Sequence, residues 1–390
     1  MCQCPVCGSV ELETMFTLHD IPVFVNVLAD EYEEAIHADT GNQKLTLCSQ
    51  CGFVFNADFA PEKVQYSQGY HAERRSSSAY RAHVDAVISQ IQDVIPLCHI
   101  TALEVGCGTG EFLKAIHDKG LENVKLIGVD PSVESHTEDK IQFDGTLFDE
   151  DYLKSLQIQP DVIINRHMIE HVTNPLSLLE IFSQSLTNGG VLYFETPRLD
   201  WILQHKTFFD FTYEHCSYFT DDFMRRLLAA AGFEIISCVS SYEGQYFSIC
   251  ARRTVDITNI KPVSCTECKR VKQGFVNIRK AYEYCKSYYI PSENDCVWGC
   301  SGKGVMWLNL MDSDKILHTV DINPHKQNHF VLKTGHRIES PKELLNYHPS
   351  KVFVMNSIYM KEVQKMLSGI LSNQLPQFIS VEDFIWVAEQ

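Results

Sequence analysis

The sequence predicts an α/β protein built on a parallel, Rossmann-like sheet, with a small cysteine-rich domain before it and a second Rossmann-like domain after it. Three observations predict this class. A short apolar strand leads into a glycine turn and a helix at 101–117. Strand-like and helix-like segments then alternate as far as residue 253, which is typical of a parallel sheet with helices on both faces. A strand with a glycine turn and a strand ending in aspartate recur within 293–390.

The stretch 101–117 is the centre of this plan. The apolar residues of 102–105 predict a buried strand, and three alternating glycines break it into a tight turn. Glycine allows positive φ and lets a ligand approach the backbone closely. Phe112, Leu113 and Ile116 then recur at helical spacing, and Gly120 is a helix stop.

The spacing of the turn distinguishes two kinds of ligand. A dinucleotide fingerprint needs Gly-x-Gly-x-x-Gly, and its third glycine would fall on Glu111. The sequence instead reads acidic-x-Gly-x-Gly-x-Gly, and a second strand ends in an aspartate about 20 residues later, where α/β folds hold a ribose. This pattern resembles the S-adenosylmethionine (SAM) site of class I methyltransferases; the alternative is a glycine turn that only packs a helix on the sheet. The resemblance implies SAM as cofactor, with these contacts: Glu104, Gly106, Gly108, Gly110, Asp130 and, at the end of a further strand, Asn165.

Two pairs of cysteines near the N-terminus predict a zinc site. Cys4 and Cys7, then Cys48 and Cys51, each form a C-x2-C pair followed by glycine. Four thiolates give a closed tetrahedral shell, which is structural rather than catalytic. Cys2 is a competing ligand that we rank below Cys4 because Cys2 has no partner at this spacing. The pair at 265 and 268 has no second pair nearby, and we interpret it as two helix positions.

Composition limits the partners. The chain of 390 residues carries a formal net charge of −17 and 15 cysteines, with no apolar run behind its first residues. Such an acidic chain disfavours nucleic acid as a partner. We expect a cytoplasmic protein without a membrane span that acts on a small molecule; its oligomeric state stays open. The predicted domains are a zinc domain at 1–60, a helical connector at 61–97, a methyltransferase domain at 98–253, a helical bridge at 254–292 and a C-terminal Rossmann-like domain at 293–390.

Two segments carry acid–base groups. Residues 167–171 read H-x-x-E-H, which we do not interpret as a protease metal site because the segment leaves a strand and soon meets Pro175. His171 is a candidate substrate-facing histidine. Tyr213, Glu214 and His215 lie in a loop before a helix that Thr220 caps, and such clusters often have tuned pKa values.

With these parts in order, the chain resembles the zinc-containing C-methyltransferases that act on nucleotide-linked keto-deoxysugars. The resemblance rests on the cysteine pairs, the glycine turn, the run Glu-His-x-x-Tyr-Phe-Thr at 214–220 and the C-terminal segments Gly-x-x-Gly-Lys-Gly and Asp-x-Asn-Pro. It implies that His215 removes a proton beside the ketone, with Glu214 next to it and tyrosines at the sugar, where Tyr70 and Tyr213 are the candidates. The family tends to show Tyr-x-Glu-His, whereas Tyr213 directly precedes Glu214 here.

Two further functions remain open from the sequence. His215 could equally deprotonate a hydroxyl or an amine, which would make the protein an O- or N-methyltransferase acting on a sugar or another metabolite. The chain could also be a non-catalytic module that binds SAM or a nucleotide.

Overall fold

The structure is a computed structural model that describes residues 2–64, 77–96, 98–121, 123–156, 158–254, 256–311, 316, 318–371 and 375–386. Within these ranges the strands are β1 (Leu12–Pro22), β2 (Thr40–Cys48), β3 (Val54–Asn56), β4 (Thr101–Val105), β5 (Lys125–Val129), β6 (His136–Glu138), β7 (Ile141–Asp144), β8 (Val162–Arg166), β9 (Val191–Pro197), β10 (Ser217–Tyr218), β11 (Phe233–Ser241), β12 (Tyr246–Arg253), β13 (Asp295–Trp298), β14 (His318–Val320), β15 (Ile338–Glu339), β16 (Lys351–Val354) and β17 (Gln377–Ser380). The α-helices are α1 (Tyr32–Ile36), α2 (Ser78–Val94), α3 (Glu111–His117), α4 (Glu150–Ser155), α5 (Pro175–Ser185), α6 (Leu199–His205), α7 (Asp221–Ala230), α8 (Cys265–Tyr288), α9 (Gly302–Leu310), α10 (Met360–Ile370) and α11 (Val381–Trp386).

The central sheet has eight strands in the order β11-β12-β9-β8-β4-β5-β7-β6. Strands β7, β5, β4, β8 and β9 run parallel, and β12 and β11 close one side as an antiparallel pair. The predicted parallel sheet is therefore confirmed, and it ends in an antiparallel pair. The central strands are mostly apolar because helices cover both faces, and their buried polar residues lie at or near the carboxyl ends.

The two faces of this sheet belong to two separate cores. On one face, alternate strand residues pack with the apolar sides of α2 and α3, as Val87 and Leu113 do. On the other face, the intervening strand residues pack against α5 and α7. Helix α2 lies within the segment 61–97 that was predicted as a helical connector, and the Ser77 hydroxyl caps it by accepting from the N–H groups of Ala79 and Tyr80.

The first and last sheets flank this core. The N-terminal sheet is antiparallel, with the order β1-β2-β3-β10, so its last strand comes from the loop that follows α6. The C-terminal sheet is wholly parallel, with the order β15-β14-β13-β16-β17. The 24-residue helix α8 packs beneath both, because Val271, Phe275 and Ile278 share one apolar core with β1, α6 and α9. In the described ranges no helix is both long and apolar enough to cross a membrane.

A buried charge network lies beneath the carboxyl edge of the central sheet. The Glu195 carboxylate on β9 is fully buried and contacts Arg166 at 3.0 Å, His83 at 2.8 Å and His167 at 3.0 Å. The hydroxyl of Tyr193 donates to it at 3.2 Å. Burial opposes ionisation, but Arg166 and the two histidines hold the pKa of Glu195 well below its ordinary value. The carboxylate therefore joins α2, β8 and β9.

We predict that replacing this carboxylate greatly lowers the free energy of unfolding. Glu195→Gln leaves Arg166 buried without its counter-charge, and breaking a buried ion pair in this way costs about 3–5 kcal/mol. Because the pKa of Glu195 is lower in the folded than in the unfolded chain, its contribution is present above pH 4.5 and is lost as the pH falls through the folded value. Urea unfolding at several pH values measures the difference between variant and wild type.

The matched control is Glu234→Gln, which changes an exposed carboxylate on β11. Equal unfolding free energies for both variants at neutral pH would contradict the prediction.

Candidate active site

The glycine turn lies at the carboxyl edge of the central sheet, as predicted. The Asp130 carboxylate accepts from the backbone N–H of Gly108 at 2.9 Å and from the N–H of Ser132 at 2.8 Å. Gly106, Gly108 and Gly110 all have positive φ, at 76°, 49° and 74°. The second strand end thus clamps the turn after the first strand.

The turn is a cradle that side chains would fill. A Cβ on Gly106 would lie 2.8 Å from Met168, and one on Gly110 would lie 2.3 Å from Phe143. A Cβ on Gly108 would meet nothing within 4 Å, so open space lies beside this glycine. The turn therefore leaves backbone accessible to a ligand.

Glu104 sits beneath this turn as a buried carboxyl. Its Oε2 atom has no hydrogen-bond partner in the described part of the chain. Burial raises the pKa of Glu104 to about 8, although Arg166 opposes the shift. Asn165 is equally buried; its amide donates to the carbonyl of Val105 at 3.2 Å, and its Oδ1 finds no hydrogen-bond partner among the described residues. Both side chains offer acceptors to a cationic or hydrogen-bonding ligand.

A cleft of about 280 Å³ runs between the central and C-terminal sheets. The central sheet contributes His167, Glu170 and His171, and the loop after α6 contributes His215. The opposite wall comes from the carboxyl edge of the C-terminal sheet. Its lining residues include Gly299, Ser301, Lys303, Asp321, Lys326 and Asn356.

Three of the cleft groups form one cluster. Glu170, His171 and His215 each place a nitrogen or oxygen within 4.8 Å of the other two. The rings of His171 and His215 meet edge to face, with centroids 4.9 Å apart. Burial alone would raise the pKa of Glu170, but a hydrogen bond from His167 and the charges of His171 and His215 lower it to about 2. The cluster thus pairs a carboxylate with two imidazoles.

The tautomer of His171 follows from its partner. Its Nδ1 lies 3.0 Å from the carbonyl oxygen of Glu214, which can only accept. Nδ1 therefore carries the proton, and in the neutral ring Nε2 is the basic nitrogen. Burial lowers the pKa of His171, which favours this neutral form. His171 is thus a preorganised proton acceptor.

The structure does not bring all predicted catalytic residues together. Tyr213 is buried and does not line the cleft: its hydroxyl accepts from the N–H of Ala60 at 2.9 Å, and its ring would collide with a Cβ on Gly41. The structure thus places Tyr213 in contact with the N-terminal sheet, and its contact with a substrate stays a prediction. The Glu214 side chain is buried and does not line the cleft either. Tyr70 lies outside the described residues.

The four predicted cysteines do come together. The Sγ atoms of Cys4 and Cys51 are 3.6 Å apart, as are those of Cys7 and Cys48, and all four lie within 4.8 Å of one another. Gly8 and Gly52 follow the two pairs with φ of 73° and 82°. Their N–H groups donate to the carbonyls of Cys4 and Cys48, both at 2.8 Å, which closes each turn.

His167, from the H-x-x-E-H segment, lines the cleft with φ of 51° and contacts Glu195. The sequence did not single out two residues that contact groups of the site, Gln43 and Glu195. Gln43 lies on β2 and reaches the carbonyl of His215 at 3.0 Å. Glu195 directly follows the apolar run 191–194. A charged residue that continues a buried strand is a local signal that it has a role there. No local signal marks Gln43, which is 172 residues from its partner.

Comparisons with known proteins match the part of the chain that forms most of the central sheet. A family model described as methyltransferase domain matches residues 80–238. A search of curated proteins gave no match.

Solved structures that resemble part of the chain include three methyltransferases. The 1,6-didemethyltoxoflavin-N1-methyltransferase of Burkholderia thailandensis is 15% identical over 45% of this chain and 79% of its own, with a TM-score of 0.34. The magnesium protoporphyrin IX methyltransferase of Synechocystis is 16% identical over 45% and 80%, with a TM-score of 0.33. The N-methyltransferase NodS of Bradyrhizobium japonicum is 15% identical over 45% and 96%, with a TM-score of 0.32. The family model thus identifies the segment 80–238, which includes the glycine turn and most of the central sheet, as a methyltransferase domain.

Proposed function

We propose that the protein transfers a methyl group from SAM to a carbon atom of a nucleotide-linked keto-deoxysugar. The observation that carries this proposal is the cluster of Glu170, His171 and His215 in the cleft. This cluster belongs to the same domain as the glycine turn. A ketone acidifies the neighbouring C–H, and a base within hydrogen-bond reach removes that proton. The resulting enolate carbon is the nucleophile.

The residues present fit SAM. Asp130 and the glycine turn would hold the nucleoside, and Glu104 and Asn165 offer buried acceptors to its cationic end. Bound SAM supplies a methyl group on a sulfonium, which a carbon nucleophile accepts. The protein's own side chains remove the substrate proton and stabilise the charge that develops.

His215 is the proposed base, and His171 supports it. His215 lines the cleft, and the neutral His171 presents its basic Nε2 in the same cluster. The ionised Glu170 stabilises positive charge that develops on either ring when a proton is taken up. Glu214 acts through its carbonyl oxygen, which orients His171. Tyr70 remains a proposed sugar contact on the family resemblance alone.

One observation favours a second candidate function. The lysines in the described cleft lining, Lys303 and Lys326, each lie within 4 Å of a carboxylate of the protein. The same lining carries Glu170, Asp210, Asp321 and Glu362. An uncharged sugar or metabolite would suit these walls better than a diphosphate. O- or N-methylation of such a substrate is therefore the alternative.

The test uses the purified protein with SAM and a panel of nucleotide-linked 4-keto-6-deoxysugars in heavy water. We expect a new carbon-bound methyl group by NMR and mass, together with deuterium exchange at the carbon beside the ketone. His215→Ala should lower both by at least about a hundredfold, since general-base catalysis contributes about 10²–10⁴ in rate.

The matched control is His205→Ala, which removes a histidine of α6 that does not line the cleft. Exchange without methylation would support the base and point to a different sugar. Neither reaction on any keto-sugar, with SAM bound, would contradict C-methylation and favour the alternative.

Glu104 gives a prediction for cofactor affinity. If Glu104 ionises when it meets the cationic end of SAM, binding below pH 8 must first remove its proton, because its pKa is raised to about 8 in the free protein. We expect the affinity advantage of wild type over Glu104→Gln to grow from pH 6 to pH 8 and then level off.

Calorimetric titration with SAM measures the ratio of the two dissociation constants at each pH. The ratio cancels any titration of SAM itself. A constant ratio from pH 6 to pH 9 would show that Glu104 does not change ionisation on binding.

We also propose that the four N-terminal cysteines bind one structural zinc ion. Tetrahedral sulfur ligands at about 2.3 Å from zinc lie about 3.8 Å from one another, close to the observed 3.6 Å. We expect one zinc per chain in wild type and less than half of that in Cys48→Ser, measured by atomic emission. Cys265→Ser, at the exposed start of α8, is the control and should keep the metal; equal zinc in both variants would contradict the assignment.

A further inference from the structure

The loop that carries His215 is held by the N-terminal sheet. We call residues 206–216 the base loop; it leaves α6 and enters β10. Ser217 and Tyr218 of β10 pair with Phe55 and Val54 of β3. The N–H of Asn56 also donates to the carbonyl of Cys216 at 2.9 Å. The strand after His215 therefore belongs to a sheet that is otherwise built by residues 12–56.

Gln43 extends this hold to His215 itself. Its side chain is fully buried on β2, and its Nε2 donates to the carbonyl oxygen of His215 at 3.0 Å and to the hydroxyl of Tyr218 at 2.6 Å. Because a carbonyl oxygen only accepts, the amide nitrogen must face His215. The orientation of the Gln43 amide is thus determined by its partner.

The same contacts close the turn around His215. The Tyr218 hydroxyl donates to the carbonyl of Thr212 at 3.3 Å, and that carbonyl also accepts from the N–H of His215 at 3.2 Å. Gln43 and Tyr218 therefore fasten residues 212 to 218 at both ends. A shift of either side chain would move the peptide that carries the base.

Core packing does not explain an amide at position 43. Its Oε1 is buried and has no hydrogen-bond partner within the described ranges, which costs free energy that an apolar side chain would avoid. Methionine has nearly the same length and would fill the space. The bonds from Nε2 to the His215 carbonyl and to the Tyr218 hydroxyl are the contacts that require the amide.

We propose that Gln43 is a positioning residue for His215, so that the N-terminal sheet takes part in catalysis by fixing the base. This inference rests on the proposed function, in which His215 removes the substrate proton. Strand β2 ends at Cys48, one of the four clustered cysteines, so the sheet that fixes the base is anchored at its other end by that cluster. A displacement of about 1 Å at a reacting group can cost about a hundredfold in rate.

The experiment compares Gln43→Met with Lys44→Met in the full-length chain. Lys44 is the next residue on β2, and within the described residues its side chain makes an exposed ion pair with Asp58. The first readout needs no substrate: nitrogen-15 NMR of the histidine rings, with the His215 signal assigned by its loss in His215→Ala. We expect Gln43→Met to shift the pH midpoint of that signal by at least about half a unit, and Lys44→Met to leave it unchanged.

The second readout is catalytic. On a keto-sugar that wild type exchanges, Gln43→Met should lower kcat for deuterium exchange by at least about tenfold while KM and the SAM dissociation constant stay within twofold. A wild-type His215 midpoint in Gln43→Met would overturn the proposal, as would a loss of kcat that is matched by a loss of SAM binding. If wild type exchanges no keto-sugar, the proposed function fails, and the ring midpoint alone decides the role of Gln43.

A second variant keeps the Gln43 amide and covers the case in which Gln43→Met does not fold. Tyr218→Phe removes the hydroxyl that links Gln43 to Thr212 but leaves the bond from Gln43 to the His215 carbonyl. Should Gln43→Met fail to fold, a shifted His215 midpoint in Tyr218→Phe supports the fastening of the turn, and an unchanged midpoint opposes it.

Discussion

The backbone pairing of β10 with β3 is the contact on which the candidate site depends. It is only two residues long, yet it joins the N-terminal sheet to the loop that carries His215. Phe211 and Tyr213, in the same loop, are wholly buried in a core shared with β1, α8 and α9. The loop is therefore not a free surface segment. Its position is set by parts of the chain that lie on both sides of the methyltransferase domain.

This dependence explains what the sequence could predict. The glycine turn, the strand ending in Asp130 and the cysteine pairs are local patterns, in which residues a few positions apart must meet. The alternating strands and helices gave the parallel sheet for the same reason. All of these lie where they were expected.

The parts that sequence could not predict arise from contacts between distant segments. Tyr213, Glu214 and His215 are adjacent in sequence, but neighbouring side chains in an extended loop point in different directions. Tyr213 turns to the N-terminal sheet and His215 to the cleft. Gln43 and Glu195 contact groups that are distant in sequence, and the partners of Glu195 on α2 and β8 could not be inferred from the strand that carries it.

The buried carboxyl groups differ in pKa because their neighbours differ. Arg166 and hydrogen bonds from two histidines lower the pKa of Glu195, and histidines lower that of Glu170, whereas burial leaves Glu104 with a raised pKa. A carboxyl that is costly to ionise alone becomes easy to ionise when a cation arrives. Of the three, Glu104 is therefore the one whose surroundings favour a cationic ligand.

The C-terminal sheet repeats the backbone plan of the strand, turn and aspartate, but the charges at its turn differ. Asp321 accepts from the N–H of Cys300 at 2.9 Å and from the N–H of Asn323 at 2.9 Å, as Asp130 does from Gly108 and Ser132. Here the buried Lys326 donates to the Cys300 carbonyl at 3.2 Å and lies 3.9 Å from Asp321. The second turn thus carries its own cation, whereas Glu104 beneath the first turn has a carboxyl oxygen with no hydrogen-bond partner among the described residues. The second turn lines the cleft with a buried lysine already in place, so of the two turns the first is better suited to a cationic ligand.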